Sequence, residues 1–323
     1  MRTQGLSGGT NDSLRPTILP RRGKTLAGRY WDCRYLVILL TPGILYFVIF
    51  KYLPIYGLVI AFKDYNFIDG IFKSPWVGLS VFKELFSTPS FWSVFRNTVI
   101  LGFLQFIVGF PAPIIFALLL NEVLNTRFKR TVQTISYLPY FVSWVILGGL
   151  FLQFLSPSEG PVNYIIKSMG GRPVFFLGDT HWFRGVLVAT GVWKSVGWSS
   201  IVYLAALSSI DTELYEAAEI DGAGRWMKMR FITLPSLAPV ITIMLILATG
   251  SLVDDNFDQV FNLYNPAVYS VGDVMSTYIY RKGLQSMEYS AAAALGLFKN
   301  LLAFAIVMAS NKLAKRINEY GIW

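Results

Sequence analysis

The chain has 323 residues, of which 54% are hydrophobic, 16% aromatic and only 15% charged, with a mean hydropathy of +0.50. Water-soluble domains carry about 25% charged residues, so this composition excludes a soluble enzyme, a disordered chain and a coiled coil, and places most of the chain in lipid. One cysteine, Cys33, forbids an internal disulfide or a Cys-rich metal site; one histidine, His181, removes multi-histidine zinc and haem sites, so no metal is expected. The net charge of +9 has to be read from its distribution along the chain before it is assigned to any partner.

Residues 1–34 read as a basic cytoplasmic tail with seven Lys/Arg, and no apolar run follows Met1 early enough for a cleavable signal peptide. Three uncharged stretches then stand out: Thr98–Leu120, Thr131–Leu155 and Ile232–Val253, of 23, 25 and 22 residues. At 1.5 Å per residue each can cross about 30 Å of hydrocarbon. Tyr35–Phe62, Gly185–Ser209 and Tyr289–Ser310 are long enough too, with one lysine each: Lys51, Lys194 and Lys299. The expected fold is therefore an all-α integral membrane protein with six transmembrane helices. With the N-terminus inside, inner segments hold 16 Lys/Arg against 9 outside, which favours both termini in the cytoplasm of a multi-pass inner-membrane protein. The boundaries expected are a tail at 1–34, a first span and outer loop at 35–90, a core at 91–311 and a cytoplasmic tail at 312–323. Within the outer loop a short amphipathic stretch is expected near Val81–Phe86, and Ser156–Phe183 and Asn265–Glu288 carry Pro and Gly turn signals.

The informative inner loop is Asp211–Pro239. Asp211 can cap a helix whose first turn holds Glu213, where the helix dipole favours acid. Asp221-Gly222 ends that helix, and a second, basic helix over Arg225–Ile232 is expected to stop before Pro235. Composition alone leaves open an ordinary polar loop with an acid-to-base gradient. The order of residues changes this: Glu216-Ala217-Ala218, Asp221-Gly222-Ala223, Phe231, Leu234-Pro235 and Pro239 closely resemble the EAA motif of ABC importer permeases. The chain is thereby similar to type I binding-protein-dependent importers of the maltose-type sugar family. Asn97-Thr98 resembles the start of the shared permease core. Tyr52–Asn66, Ser74–Leu79 and Trp193–Trp198 resemble a subgroup importing complex or polymeric saccharides, alginate importers being the nearest likeness.

The resemblance implies type I permease architecture and a coupling helix at about 212–224 docking in a cytoplasmic ATPase. Glu213, Glu216, Ala217, Ala218, Asp221, Gly222 and Ala223 would carry that contact, small residues permitting close approach and Glu216 pairing with a base on the partner. The chain has no G-x-x-x-x-G-K-[ST] phosphate loop, so ATP and Mg belong to the partner and the chain is not itself an enzyme. The implied partners are a second permease subunit, two ABC ATPase subunits, a periplasmic solute-binding protein, a saccharide substrate and the lipid bilayer, with no nucleic acid.

Charge at membrane depth costs about 2.5–3.5 kcal/mol at a helix centre on insertion scales and points to function. Gly250, Ser251, Asp254, Asp255 and Asn256 cluster at the outer end of the fifth span, where a continuing helix would put Gly250, Asp254 and Asp258 on one stripe. Carboxylates and amides bind sugar hydroxyls, and the matching span of the maltose-type relatives contributes to substrate contact. The competing reading is that these acids mark where the helix leaves the bilayer. Lys194, between Trp193 and Gly197, is a further pathway candidate, whereas Lys51 and Lys299 read as reaching an aqueous cavity or pairing with acids. An ATP-independent secondary transporter or channel would need paired ion sites or a repeated half, and neither is found.

Overall fold

The structure, a computed structural model, describes residues 34–253 and 255–318. Residues 1–33 of the expected tail at 1–34, the last five residues and Asp254 lie outside the described residues. The chain divides into two units, Met1–Gly57 and Leu58–Trp323. In the first, α1 (Arg34–Phe47) passes into a π-turn at Val48–Tyr52 and then a 3-10 run, Leu53–Phe62, that crosses the unit boundary. No side chain of α1 is buried.

The second unit holds α2 (Ser80–Ser87), α3 (Pro89–Gly109), α4 (Pro111–Asn121), α5 (Thr126–Phe141), α6 (Trp144–Phe154), α7 (Pro161–Ser168) and α8 (Thr180–Ser208). After these come α9 (Thr212–Ile220), α10 (Leu234–Gly250), α11 (Phe257–Leu263), α12 (Met275–Tyr280) and α13 (Tyr289–Asn318). Among the described residues no strand forms; a single bridge pairs Lys63 with Trp76.

Among the described residues, four helices are long and apolar enough to cross a membrane: Arg34–Phe62, Pro89–Asn121, Arg225–Gly250 and Tyr289–Leu313. The uncharged stretch Thr131–Leu155 is not one straight span: α5 and α6 meet at 104°. Pro139 interrupts the last turn of α5, and Ser143, extended, caps α6 by accepting from Ile146 N–H. The sixth stretch lies inside α8, which at 29 residues is long enough but is not among the four helices of sufficient apolarity. Its packing explains this. α8 lies against α3, α4, α5 and α10, so its polar groups face protein: Arg184 donates to Asn97 Oδ1 at 2.9 Å and to Val271 O at 3.1 Å.

Contact with α5 is close. A Cβ on Gly197 would lie 2.2 Å from Ser136 O, so only glycine lets the two backbones touch there. Three apolar clusters hold the unit: one around Phe183, Leu187 and Leu263, one around Phe91, Met275 and Leu295, and one around Ala117, Tyr203 and Leu237.

Arg225–Lys228 does not end before Pro235. It runs through a π-turn, Met229–Thr233, into α10, because Leu234 N–H donates to Met229 O. Pro235 then falls just after the π-turn, whose wider i−5 pairing carries the helix past a residue with no N–H to donate.

Candidate functional site

Two sites emerge, one at each end of α10. At its C-terminal end the helix stops at Gly250, so the expected stripe through Gly250, Asp254 and Asp258 is not formed. The chain unwinds through Asn256, whose φ of 40° is left-handed, a conformation asparagine tolerates better than most residues. Gly250 faces α13: an added Cβ would sit 2.8 Å from Val307. Asp258 is exposed. Ser251, Asp255 and Asn256 line a cavity of about 310 Å³ together with Gly102, Gln105 and Gln259. A second cavity of about 220 Å³ shares Gln105 and Ser251 and continues past Ser195, Ser199 and Tyr203.

Asp255 is not a free carboxylate. Its side chain is fully buried and accepts from Lys299 Nζ at 2.9 Å and from Ser276 N–H at 2.8 Å. Lys299 also donates to Ser276 Oγ at 2.5 Å. The ion pair thus ties the unwound segment to α12 and α13. The cavity presents instead a chain of amides. Gln259 donates to Leu187 O at 2.6 Å and Thr190 Oγ1 at 2.9 Å, and its oxygen accepts from Gln105 Nε2 at 3.3 Å and Asn256 Nδ2 at 3.4 Å. Gln105 and Gln259 escape a reading that searches spans for charge; an uncharged amide in an apolar run is the signal that would have found them.

Lys194 lies elsewhere. Its ammonium donates to Pro139 O at 3.2 Å, Tyr140 O at 2.9 Å and Val142 O, the carbonyls left open where α5 breaks. Trp198 stacks on Tyr140 with centroids 4.8 Å apart, and Trp193 meets Phe151 of α6 edge-on at 5.7 Å. Trp193, Lys194 and Trp198 therefore clasp the bent pair, while Ser195 of the same motif lines the second cavity.

Asn97 and Thr98 pin the segment before α12. Asn97 Nδ2 donates to Ser270 O and Asp273 O, both at 3.1 Å, and Thr98 Oγ1 accepts from Met275 N–H at 2.8 Å. Just beyond, Asp273 pairs with Arg281, which lies over the rings of Tyr269 and Tyr278. Glu288, accepting two hydrogen bonds at 2.8 and 2.9 Å, holds the Lys282 ammonium above the usual lysine range. His181 is exposed, 3.1 Å from Asp179, whose carboxyl is held below its usual range first by the backbone N–H of His181 and then by its ring.

At the other end, α9 is capped by Asp211, which accepts from Glu213 N–H at 3.0 Å. It terminates with Ala223 N–H donating to Ala218 O at 2.8 Å and Gly222 N–H to Glu219 O at 3.0 Å, around a Gly222 φ of +78°. This pairing closes the helix end only if the turning residue is left-handed. Glu213, Glu216, Ala217 and Asp221 are exposed, Ala218 and Ala223 half-buried. Among the described residues no ion pair forms with Glu216, whereas Glu219 pairs with Lys228 at 3.2 Å. Ile220 (87% exposed), Leu214 and Trp226 surround these acids with uncovered apolar surface. Tyr215, on the other face, hydrogen-bonds Thr233 at 3.0 Å and joins α9 to the entry of α10.

A helical bundle with an exposed, capped loop helix at one end and an amide-lined cavity at the other is the build of an importer permease. The chain belongs to the family of binding-protein-dependent transport system inner membrane components, whose match covers residues 109–318. It is a multi-pass inner-membrane permease subunit of an ABC importer, working with a solute-binding protein, a second permease subunit and ATPase subunits. It is 43% identical to Protein LplB of Bacillus subtilis, over 90% of this chain and 91% of that one. It is 42% identical to the polygalacturonan/rhamnogalacturonan transport system permease protein YteP of the same organism, over 90% of each. Among solved structures, it is similar to a chain of a bacterial ABC transporter involved in the import of the acidic polysaccharide alginate, at 41% identity and a TM-score of 0.85, covering 91% of this chain and 100% of that one. A second structure shows a bacterial alginate transporter in complex with an alginate pentasaccharide-bound periplasmic protein, at 40% identity and the same TM-score, covering 93% and 100%.

Proposed function

We propose that this permease moves an acidic oligo- or polysaccharide inward, with ATP and Mg held on separate subunits, and that its own chain hydrolyses nothing. The observation that carries the reading is the internal pairing of Asp255. With that charge met by Lys299, the lining is uncharged: Gln105 and Gln259 commit their N–H groups to α8 and to one another, and the Asn256 amide beside Ser251 keeps an N–H for a sugar hydroxyl or carboxylate. The saccharides named for YteP and for the alginate transporters support the same substrate class. Ser251, Asp255 and Asn256 belong to the pathway in this reading, Asp255 as the residue that fixes its wall.

Coupling falls to α9. Its exposed acids, small residues and apolar rim fit a cleft on the ATPase, with Glu216 left for a base of the partner. Six spans with both ends cytoplasmic follow if α8 and the bent α5–α6 pair each count as one, an orientation supported by the 16-to-9 charge bias. The core then occupies 91–311, with the first span and its outer loop at 35–90 and cytoplasmic tails at 1–34 and 312–323. The test is uptake by the reconstituted complex, offered neutral and uronic-acid oligosaccharides of matched length by its binding protein. Selective uptake of the uronic-acid series is expected; preference for neutral sugars would overturn the substrate reading.

A further inference from the structure

Three of the apolar helices come to an end around one short segment. The span from Arg34 ends at Phe62, and two others begin at Pro89 and Tyr289. Ser290, at the head of α13, donates to Lys63 O at 2.7 Å and accepts from Tyr65 N–H at 3.0 Å. The Trp76 ring stacks on Phe62, centroids 5.9 Å apart, and α2, which follows, packs against α3 and α13. Residues 63–79 therefore lie at the level where three candidate spans leave the hydrocarbon.

At that level the segment turns large apolar groups outward. Phe67 is 78% exposed, Ile68 89%, Phe72 81% and Trp76 64%. Their backbone holds its shape from inside. Lys63 Nζ donates to Ile71 O at 2.6 Å, Ser74 Oγ accepts from Asn66 N–H at 3.1 Å and donates to Gly70 O at 2.7 Å, and Asn66 Oδ1 accepts from Ile68 N–H at 3.0 Å. Trp92, near the start of α3, is 55% exposed and donates its indole N–H to Phe86 O at 2.8 Å, adding a second tryptophan from another element to the same band. Polar backbone closed on itself beneath outward aromatic rings suits the headgroup boundary, where tryptophan concentrates.

We propose that residues 66–79 are a wedge seated in the bilayer surface where these spans end, with Phe67 and Ile68 among the upper acyl chains and Trp76 at headgroup level. The occupant of this face is lipid, because the exposed apolar groups sit beside the ends of helices long and apolar enough to cross a bilayer. The inference needs a membrane-embedded chain and is independent of the substrate reading.

The test uses the whole complex, otherwise free of cysteine, with Cys33→Ser and either Phe67→Cys or Ile68→Cys, labelled with the fluorophore NBD in phosphatidylcholine nanodiscs. Both side chains are exposed, and parental ATP turnover verifies assembly. Phosphatidylcholine spin-labelled near its headgroup should quench both positions, and iodide should quench them about threefold less than a label at the exposed Arg172→Cys, as burial of roughly 5–10 Å at the interface requires. Iodide quenching equal to that at Arg172→Cys places the segment in water and overturns the proposal. Protection from iodide without quenching by the spin-labelled lipid shows a protein surface covering the segment and overturns it equally.

Discussion

Asp255→Ala takes a fully buried carboxylate away from the Lys299 ammonium beside α12. Breaking a buried ion pair from one side destabilises by about 3–5 kcal/mol, whereas replacing both partners by apolar groups is close to neutral. The single variant also frees Ser276 N–H, a further loss of about 1 kcal/mol. For a core of this size about 1 kcal/mol moves the unfolding midpoint by roughly 2–4 °C, so Asp255→Ala should lower it by about 10 °C. Asp255→Leu with Lys299→Met should recover more than half of that loss. The assay is the thermal midpoint of the purified complex in nanodiscs, run as a double-mutant cycle with Lys299→Met alone as the fourth corner. Uptake is measured alongside, because a carboxylate that only fixes the cavity wall predicts that the stable double variant still transports. Additive losses in the cycle would refute the pairing. A stable double variant without transport would show that Asp255 meets the substrate directly.

Lys194→Met removes the ammonium from three carbonyls at the α5 break; a loss of about 2–4 kcal/mol is expected from charge-assisted bonds of this kind, read as a lowered midpoint with the uptake KM of surviving complexes unchanged. Gly197→Val drives a side chain into the Ser136 carbonyl and should prevent α8 from seating on α5, so that the yield of assembled complex on size exclusion falls severalfold. Glu216→Lys should leave insertion and the fold intact, since the group is exposed, while reducing ATPase recovered on purification or uncoupling its turnover from uptake; wild-type values for both would sink the coupling role. Single cysteines replacing Ser80, Ser168 and Ser270 should react with an impermeant reagent from outside, and one replacing Ser7 should not; labelling of the last from outside would reverse the orientation.

The positions of the apolar spans were legible because lipid demands long uninterrupted runs: Pro89–Asn121 contains the run Thr98–Leu120, and Arg225–Gly250 covers Ile232–Val253 except for its last three residues. The loop helix was equally legible: an Asp cap, an acid in the first turn and a glycine at the stop are local signals, and Asp211, Glu213 and Gly222 are where those signals put them. Tertiary demands were not legible. Pro139 marks where the uncharged run of 25 residues can bend but not that the bend reaches 104°, because the carbonyl freed at Val142 is met by Lys194 from a helix 52 residues further on. The same limit applies to Asp255. Helical spacing put it beside the stripe of Gly250 and Asp258, but its neighbours are set by the unwinding after Gly250 and by α13, 44 residues away. Pro235 looked like a stop because a π-turn, which leaves no mark in periodicity, precedes it.

The join between Tyr215 and Thr233 gives α10 a mechanical meaning. From Arg225 to Gly250 the chain is one rod of 26 residues, about 39 Å at 1.5 Å per residue. Its near end is fastened to α9 by a hydrogen bond from a side chain that does not touch the exposed acids. Its far end is the wall of the amide-lined cavity, clamped to α13 through Asp255. A tilt of about 5° about the fastened end would sweep the far end through roughly 3 Å, the width of a hydroxyl group, over such a length. Small rotations at the loop helix thus become openings of sugar-contact size, with the ion pair setting how much force the far end can bear before it yields.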